Sequence, residues 1–241
     1  MSGSLEVTPV RVFADADALG EALADEIVRL YEQRHGRFLL GCPGGRSLRT
    51  TYGALRRRAV DWGDLVTVLM DEYVVDGAAV PGGAHYSCSG FAQRELSFAG
   101  DVWLPDPAEP GAYDRRIDDS GGIDLFLLAS GASDGHVAFL PPGSPLDGGT
   151  SVVELAETTR RDNLRTFPEF SSLDEVPTHG VTVGLGTIRA SKRVRMVLHG
   201  EEKREAARRL LALDAFDPQW PASVVHACAD AEIWLDRAAL P

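Results

Sequence analysis

An α/β protein, doubly wound around a mostly parallel sheet with helices on both faces, is what this sequence predicts. Three observations carry that reading. Short runs dominated by apolar residues recur at 38–41, 65–70, 123–128 and 194–198. Such runs suit strands buried on both faces better than half-exposed ones. Segments with helical spacing alternate with them, and that alternation winds into a parallel sheet through right-handed crossovers. No repeat, low-complexity tract or linker interrupts the chain, so residues 1–241 read as one domain.

Taken in order, residues 10–13 form a first strand. Asp15 then stands ready to cap a helix, in which Leu19, Leu23, Ile27 and Leu30 recur at helical spacing to about residue 34. Gly36 supplies the usual stop. A buried strand at 38–41 leads into the loop Pro43-Gly44-Gly45-Arg46-Ser47, and residues 52–58 lie on the next helix. The third strand, 65–70, runs straight into Asp71-Glu72-Tyr73. A loop at 81–84 precedes a helical stretch at 85–96, a short strand at 102–104 and an acidic, proline-bearing loop. The central strand, 123–128, comes next. Residues 142–180 are the least regular and most polar, a pattern shared by lids, active-site walls and plain surface excursions. Apolar segments follow at 181–186 and 194–198, the second a clear strand. A helix with a basic face spans 201–211, and 223–227 and 232–235 read as the last strands.

The composition narrows the function. The 241 residues are 44% hydrophobic, enough for a sizeable core, and carry a net charge of -12. That charge argues against a nucleic-acid partner, whose footprint is a basic face. It leaves room for a small anionic ligand, because a few local cations dominate a single pocket. Cys42, Cys88 and Cys228 are odd in number and lack metal-ligand spacing, so they read as reduced thiols of a cytoplasmic protein. The start of the chain has no basic region followed by an apolar one, and no run reaches the ~18 apolar residues of a membrane helix. No membrane partner is expected.

The strongest chemical signal is Asp134-Gly135-His136. It follows the central strand and the small residues Ser130, Gly131, Ala132 and Ser133, which let backbone turn tightly. Open α/β sheets place their ligand crevice at the carboxyl ends of strands, and histidine both gives and accepts protons near neutral pH. Gly44, Gly45, Arg46 and Ser47 join a strand to a helix, where backbone N–H groups, a helix N-terminus and a hydroxyl suit an anion. Asp71 and Glu72 end a strand expected at the same sheet edge, placed either as general bases or, equally, as a helix cap or surface salt bridge. Arg165 and Lys203 carry phosphate-binding chemistry, though each taken alone reads better as a solvated surface charge.

Five stretches together are highly specific. They are 40–52 (LGCPGGRSLRTTY), 70–73 (MDEY), 134–139 (DGHVAF), 176–188 (VPTHGVTVGLGTI) and 200–203 (GEEK). In sequence and in order they resemble the family that unites glucosamine-6-phosphate deaminase with 6-phosphogluconolactonase. The second and fourth look like the deaminase branch, whereas Gly44-Gly45-Arg46-Ser47 looks nearer the lactonases. The resemblance implies that Arg46 and Ser47 hold phosphate-loop positions, that Arg165 and Lys203 match the phosphate-binding arginine and lysine, and that Asp71 matches the base at sugar C2. It further implies that His136 assists ring opening, with Asp134 as its motif neighbour. No metal and no organic cofactor is implied.

Two departures stand out. Deaminases typically continue Asp-Gly-His-Ile-Ala-Phe-Asn-Glu-Pro, and their Glu works with the His; here Leu140 and Pro141 occupy those places. The lactonases' Ala-Ser-Leu-Phe-Pro continuation is not matched either. The family's basic allosteric positions correspond to Ser151 and Val153, so that effector site is expected to be missing. The leading expectation is a glucosamine-6-phosphate deaminase-type enzyme acting on a small-molecule sugar phosphate, by aldose–ketose isomerisation with loss of ammonia. A lactonase, in which His136 activates water, and a non-catalytic sugar-phosphate-binding protein are the alternatives.

Overall fold

The apolar runs become the strands of two sheets. The structure, a computed structural model, describes residues 7–241. In chain order it contains β1 (Val10–Phe13), α1 (Ala16–Glu32), β2 (Phe38–Cys42), α2 (Arg49–Arg56), β3 (Leu65–Leu69), β4 (Asp71–Val75), β5 (Ala78–Ala79), α3 (Cys88–Glu95), β6 (Asp101–Trp103), α4 (Pro110–Asp119), β7 (Leu125–Ala129), β8 (Ser151–Glu154), α5 (Glu157–Thr166), β9 (His179–Thr182), α6 (Leu185–Arg189), β10 (Val194–Leu198), α7 (Arg204–Leu211) and β11 (Ala231–Asp236). Short 3-10 turns cover Leu173–Glu175, Glu201–Lys203, Pro221–Ala227 and Arg237–Ala239.

Among the described residues, seven strands form a sheet in the order β1-β11-β10-β7-β2-β3-β6, every pair parallel. Both faces are covered. Leu125 and Leu127 of β7 pack on the side of α1, α2 and α3, whereas Phe126 and Leu128 pack on the side of α4, α6 and α7. Strand side chains alternate between faces, so a doubly covered sheet requires the uninterrupted apolar runs that the sequence shows. Asp15 caps α1 as expected, accepting from Ala18 N at 2.8 Å, a contact worth about 1 kcal/mol. Leu19, Leu23, Ile27 and Leu30 form its buried stripe.

Several local expectations are corrected. Residues 223–227 are not a strand but belong to the 3-10 turn Pro221–Ala227; a short buried apolar run does not reveal its period. The stretch after β6 is not all loop, since α4 lies in it with Tyr113 and Ile117 buried one turn apart. Residues 142–180 hold β8, α5 and a 3-10 turn. The acidic pair Asp71-Glu72 does not end β3. It opens β4, which belongs to a second, antiparallel sheet of order β5-β4-β9-β8, with Asp71 opposite Thr182.

That second sheet continues from the carboxyl end of β3, where β4 begins after Met70 alone. The chain runs β2, β3, β6 in one direction across the large sheet and then returns to β7 on the other side of β2. Between β2 and β7 the winding therefore reverses, and such a switch point leaves a cleft at the carboxyl ends of the strands. Among the described residues, no helix is long and apolar enough to cross a membrane.

Candidate active site

A cavity of about 380 Å³ opens at this switch point. Gly44, Gly45, Arg46, Ser47, Asp71, His136, Arg165 and Lys203 all lie on its wall. Thus the structure brings together residues that lie up to 159 positions apart, Arg165 and Lys203 among them. Asp134 is not on the wall; it stands behind His136 and bonds to it.

The loop after β2 forms one end. The Pro43 carbonyl accepts from Tyr52 Oη at 2.9 Å, tying the loop to α2. The Ser47 carbonyl lies 2.9 Å from His199 Nε2. Leu48 at the start of α2 makes no side-chain capping bond, so backbone N–H groups remain there for an anion. Lys203 reaches in from the turn after β10, its Nζ donating to the Ser130 carbonyl at 2.8 Å. Burial pulls the Lys203 pKa down and Arg46 adds to that, opposed by Asp162, Glu202 and Asp134. Arg46 pairs with Glu202 at 3.2 Å. Arg165 is held less closely: its side chain is 69% exposed and its ion-pair partner, Asp162, is 3.9 Å away.

The loop after β7 forms the floor. Gly131 N donates to the His136 carbonyl at 2.7 Å, closing the turn around Asp134. A Cβ on Gly131 would come within 2.2 Å of His136 Nδ1 and 2.7 Å of Asp134 Oδ1, so only glycine lets this backbone lie against the pair. Asp134 Oδ1 sits 2.7 Å from His136 Nδ1 and accepts the His136 backbone N–H at 3.1 Å. Thr158 Oγ1 donates to Asp134 Oδ2. Burial raises the Asp134 pKa, yet the hydrogen bond and charge of His136, with the Thr158 hydroxyl, prevail and hold it well below the usual carboxylate range. An ionised Asp134 on Nδ1 fixes the proton there and leaves Nε2 for proton exchange. Beyond His136 the chain turns through Ala138, whose φ of +53° costs an L residue about 1 kcal/mol or more. Pro141 lies past this turn and off the cavity wall; its carbonyl accepts from Ser144 Oγ at 2.7 Å.

The two adjacent acids of β4 have opposite surroundings. Glu72 is a cap. Its carboxylate accepts from Tyr73 N, Cys88 N, Ser89 N and Ser87 Oγ, all within 3.0 Å. Asp71 faces the cavity, 6% exposed. Burial pushes its pKa up to about 7, helped by Glu72 and opposed by a hydrogen bond from Cys88. A buried carboxyl poised there suits proton transfer at neutral pH.

Sequence reasoning missed Thr158, Cys88, Asp162, Asn163 and Glu202 at this site. The last two turns of α5 carry too little apolar periodicity to orient, and a buried cysteine is ordinary in a core. Among the described residues, no three His, Cys, Asp or Glu side chains converge as a metal-ligand set.

Comparison with known proteins places these features in context. A family described as glucosamine-6-phosphate isomerases/6-phosphogluconolactonase matches residues 14–234. A glucosamine-6-phosphate deaminase of Bacillus velezensis is 32% identical over 234 residues, covering 92% of this chain and 95% of its own. One from Rhodococcus opacus is 38% identical over 236 residues, covering 92% and 87%. A monomeric glucosamine-6-phosphate deaminase of solved structure superposes with a TM-score of 0.86 at 28% identity, covering 96% and 98%. A 6-phosphogluconolactonase from Shewanella baltica shares the fold, with a TM-score of 0.73 at 18% identity over 97% and 100%.

Proposed function

This chain belongs to the family of glucosamine-6-phosphate isomerases and 6-phosphogluconolactonases, and from that membership we propose that it deaminates glucosamine 6-phosphate, with residues 1–241 acting as one domain. The observation that carries the reading is the convergence on one cavity of the cations Arg46, Arg165 and Lys203 and a near-neutral buried carboxyl, Asp71. A lactone hydrolase has no use for that carboxyl as a carbon base.

In this reading Gly44, Gly45, Arg46, Ser47, Arg165 and Lys203 hold the phosphate. Binding energy from that non-reacting group positions the sugar. His136, oriented by Asp134, moves a proton from the anomeric hydroxyl to the ring oxygen, and the ring opens. Asp71 then takes the C2 proton of the open-chain amino aldose and returns it at C1, while one proton passes from the C2 amino group to O1. The resulting C2 imine reacts with water, releasing ammonia and leaving the ketose phosphate.

The test is ammonia release from glucosamine 6-phosphate by the purified protein. A rate equal to the uncatalysed control would end the deaminase reading. One observation favours a second reading. Pro141 stands where similar deaminases carry Glu, and a lactonase needs His136 to activate water but no such carboxylate. Asp71→Asn separates the two, because it should abolish deamination and spare lactone hydrolysis.

A further inference from the structure

Asp71 has a partner that the proposed chemistry does not call for. Cys88, the first residue of α3, donates through Sγ to Asp71 Oδ1 at 3.2 Å. Both residues are 6% exposed and both line the cavity. The contact is held from two sides. Glu72, next to Asp71 on β4, accepts Cys88 N at 2.9 Å and Ser89 N at 2.8 Å, locking the start of α3 onto that strand. On the other side a Cβ at Gly44 would lie 3.3 Å from Cys88 Sγ, so the sulfur rests against the glycine loop.

We propose that Cys88 is a positioning residue for Asp71: its thiol occupies Oδ1 and leaves Oδ2, unpartnered among the described residues, as the oxygen that receives the substrate proton. The inference rests on the reading of Asp71 as the carbon base. A thiol is well matched to this task. It is a weaker donor than a hydroxyl, so it fixes the carboxylate's rotamer while withdrawing less of its basicity. A hydroxyl in the same place would stabilise the carboxylate more and weaken the base. The thiol is no nucleophile here, since burial and the charges of Asp71 and Glu72 push its own pKa well above the ordinary value. The other titratable groups around Asp71 are Glu72 on β4 and the hydroxyls of Tyr52, Tyr73 and Tyr113, and burial pushes those tyrosines up as well.

The experiment compares parent, Cys88→Ala and Cys88→Ser by two readouts. One is the pH dependence of kcat/KM for ammonia release from glucosamine 6-phosphate. The other is the ¹³C NMR titration of the Asp71 carboxyl, assigned by its absence in Asp71→Asn, which needs no turnover. Cys88→Ala should move the acid limb and the NMR titration upward by about one pH unit. Ionised Asp71 at pH 7 then drops from about one half to about one tenth, so kcat/KM falls roughly fivefold at pH 7 and recovers above pH 9. Cys88→Ser should restore a donor and move both curves below those of the parent, with KM little changed. Ammonia release with both variants titrating like the parent overturns the Cys88 inference alone. No ammonia from the parent, with the Asp71 titration still moved in Cys88→Ala, overturns the deaminase reading and upholds the pairing.

Discussion

Replacing Asp71 by Asn should make the protein inactive as a deaminase and, above neutral pH, more stable. The carboxyl is buried, and its pKa rises from the ordinary 3.8 to about 7. A carboxyl whose pKa is higher in the folded chain than in the unfolded one binds its proton preferentially when folded. Between those two values stability falls as pH rises, and above about 7 the loss is complete. At 1.36 kcal/mol per pH unit the full loss is about 4 kcal/mol, against roughly 1.6 kcal/mol at pH 5. Asn is isosteric with the protonated acid, still accepts from Cys88 and has no charge to desolvate. The variant should therefore gain up to about 4 kcal/mol over the parent at pH 8, or roughly 8–16 °C in Tm for a chain of this size. At pH 5 the gain should be less than half of that. The assay is thermal unfolding of both proteins from pH 5 to pH 9, beside ammonia release. A Tm difference that is absent at pH 8, or the same at pH 5 and pH 8, would refute the buried-carboxyl account and remove the main support for Asp71 as the base.

Other expected outcomes follow from the same geometry. Asp134→Asn removes the charge that orients His136 and should lower kcat by roughly 10²-fold or more, as should His136→Ala; kcat kept within a few-fold would make the pair structural. Lys203→Ala should raise the Kd for glucosamine 6-phosphate by roughly 10–150-fold, the worth of one charge-assisted hydrogen bond of about 1.5–3 kcal/mol, and calorimetric titration that finds equal affinity would take Lys203 out of the site. Pro141→Glu, alone or with Leu140→Asn, returns the carboxylate that similar deaminases carry, at a backbone cost below about 1 kcal/mol. Faster ammonia release supports a deaminase site lacking one group, and a slower rate shows that Asp134 alone serves His136.

Much of the large sheet was legible because burial on both faces is a local property of a strand. The runs at 38–41, 65–70 and 194–198 announce themselves without their neighbours, and Asp15 announces α1. The second sheet was not legible. β4 follows β3 after Met70 alone, and only its antiparallel pairing with β9, more than a hundred residues on, separates the two. Likewise α4 offers just two buried residues in ten, too few for a periodic signal. The motifs named Asp71, His136 and Lys203, but not their assignments relative to one another. That Glu72 caps a helix while Asp71 faces the cavity depends on where the start of α3 falls. Thr158 and Cys88 reach the site through tertiary packing, which no spacing along the chain encodes.

The cross-ties at the cation end carry a kinetic consequence. Lys203 is held by the Ser130 carbonyl and the loop at Ser47 is held to His199, so on the proposed assignment these donors need little ordering when an anion arrives. Preorganisation of this kind spares entropy and favours rapid encounter over slow adjustment. Arg165 differs, its side chain largely exposed and paired with Asp162 only at 3.9 Å. Its guanidinium must surrender rotamer freedom to close over a captured phosphosugar, so its contribution falls on how long the complex lasts, while the tethered groups govern how readily it forms.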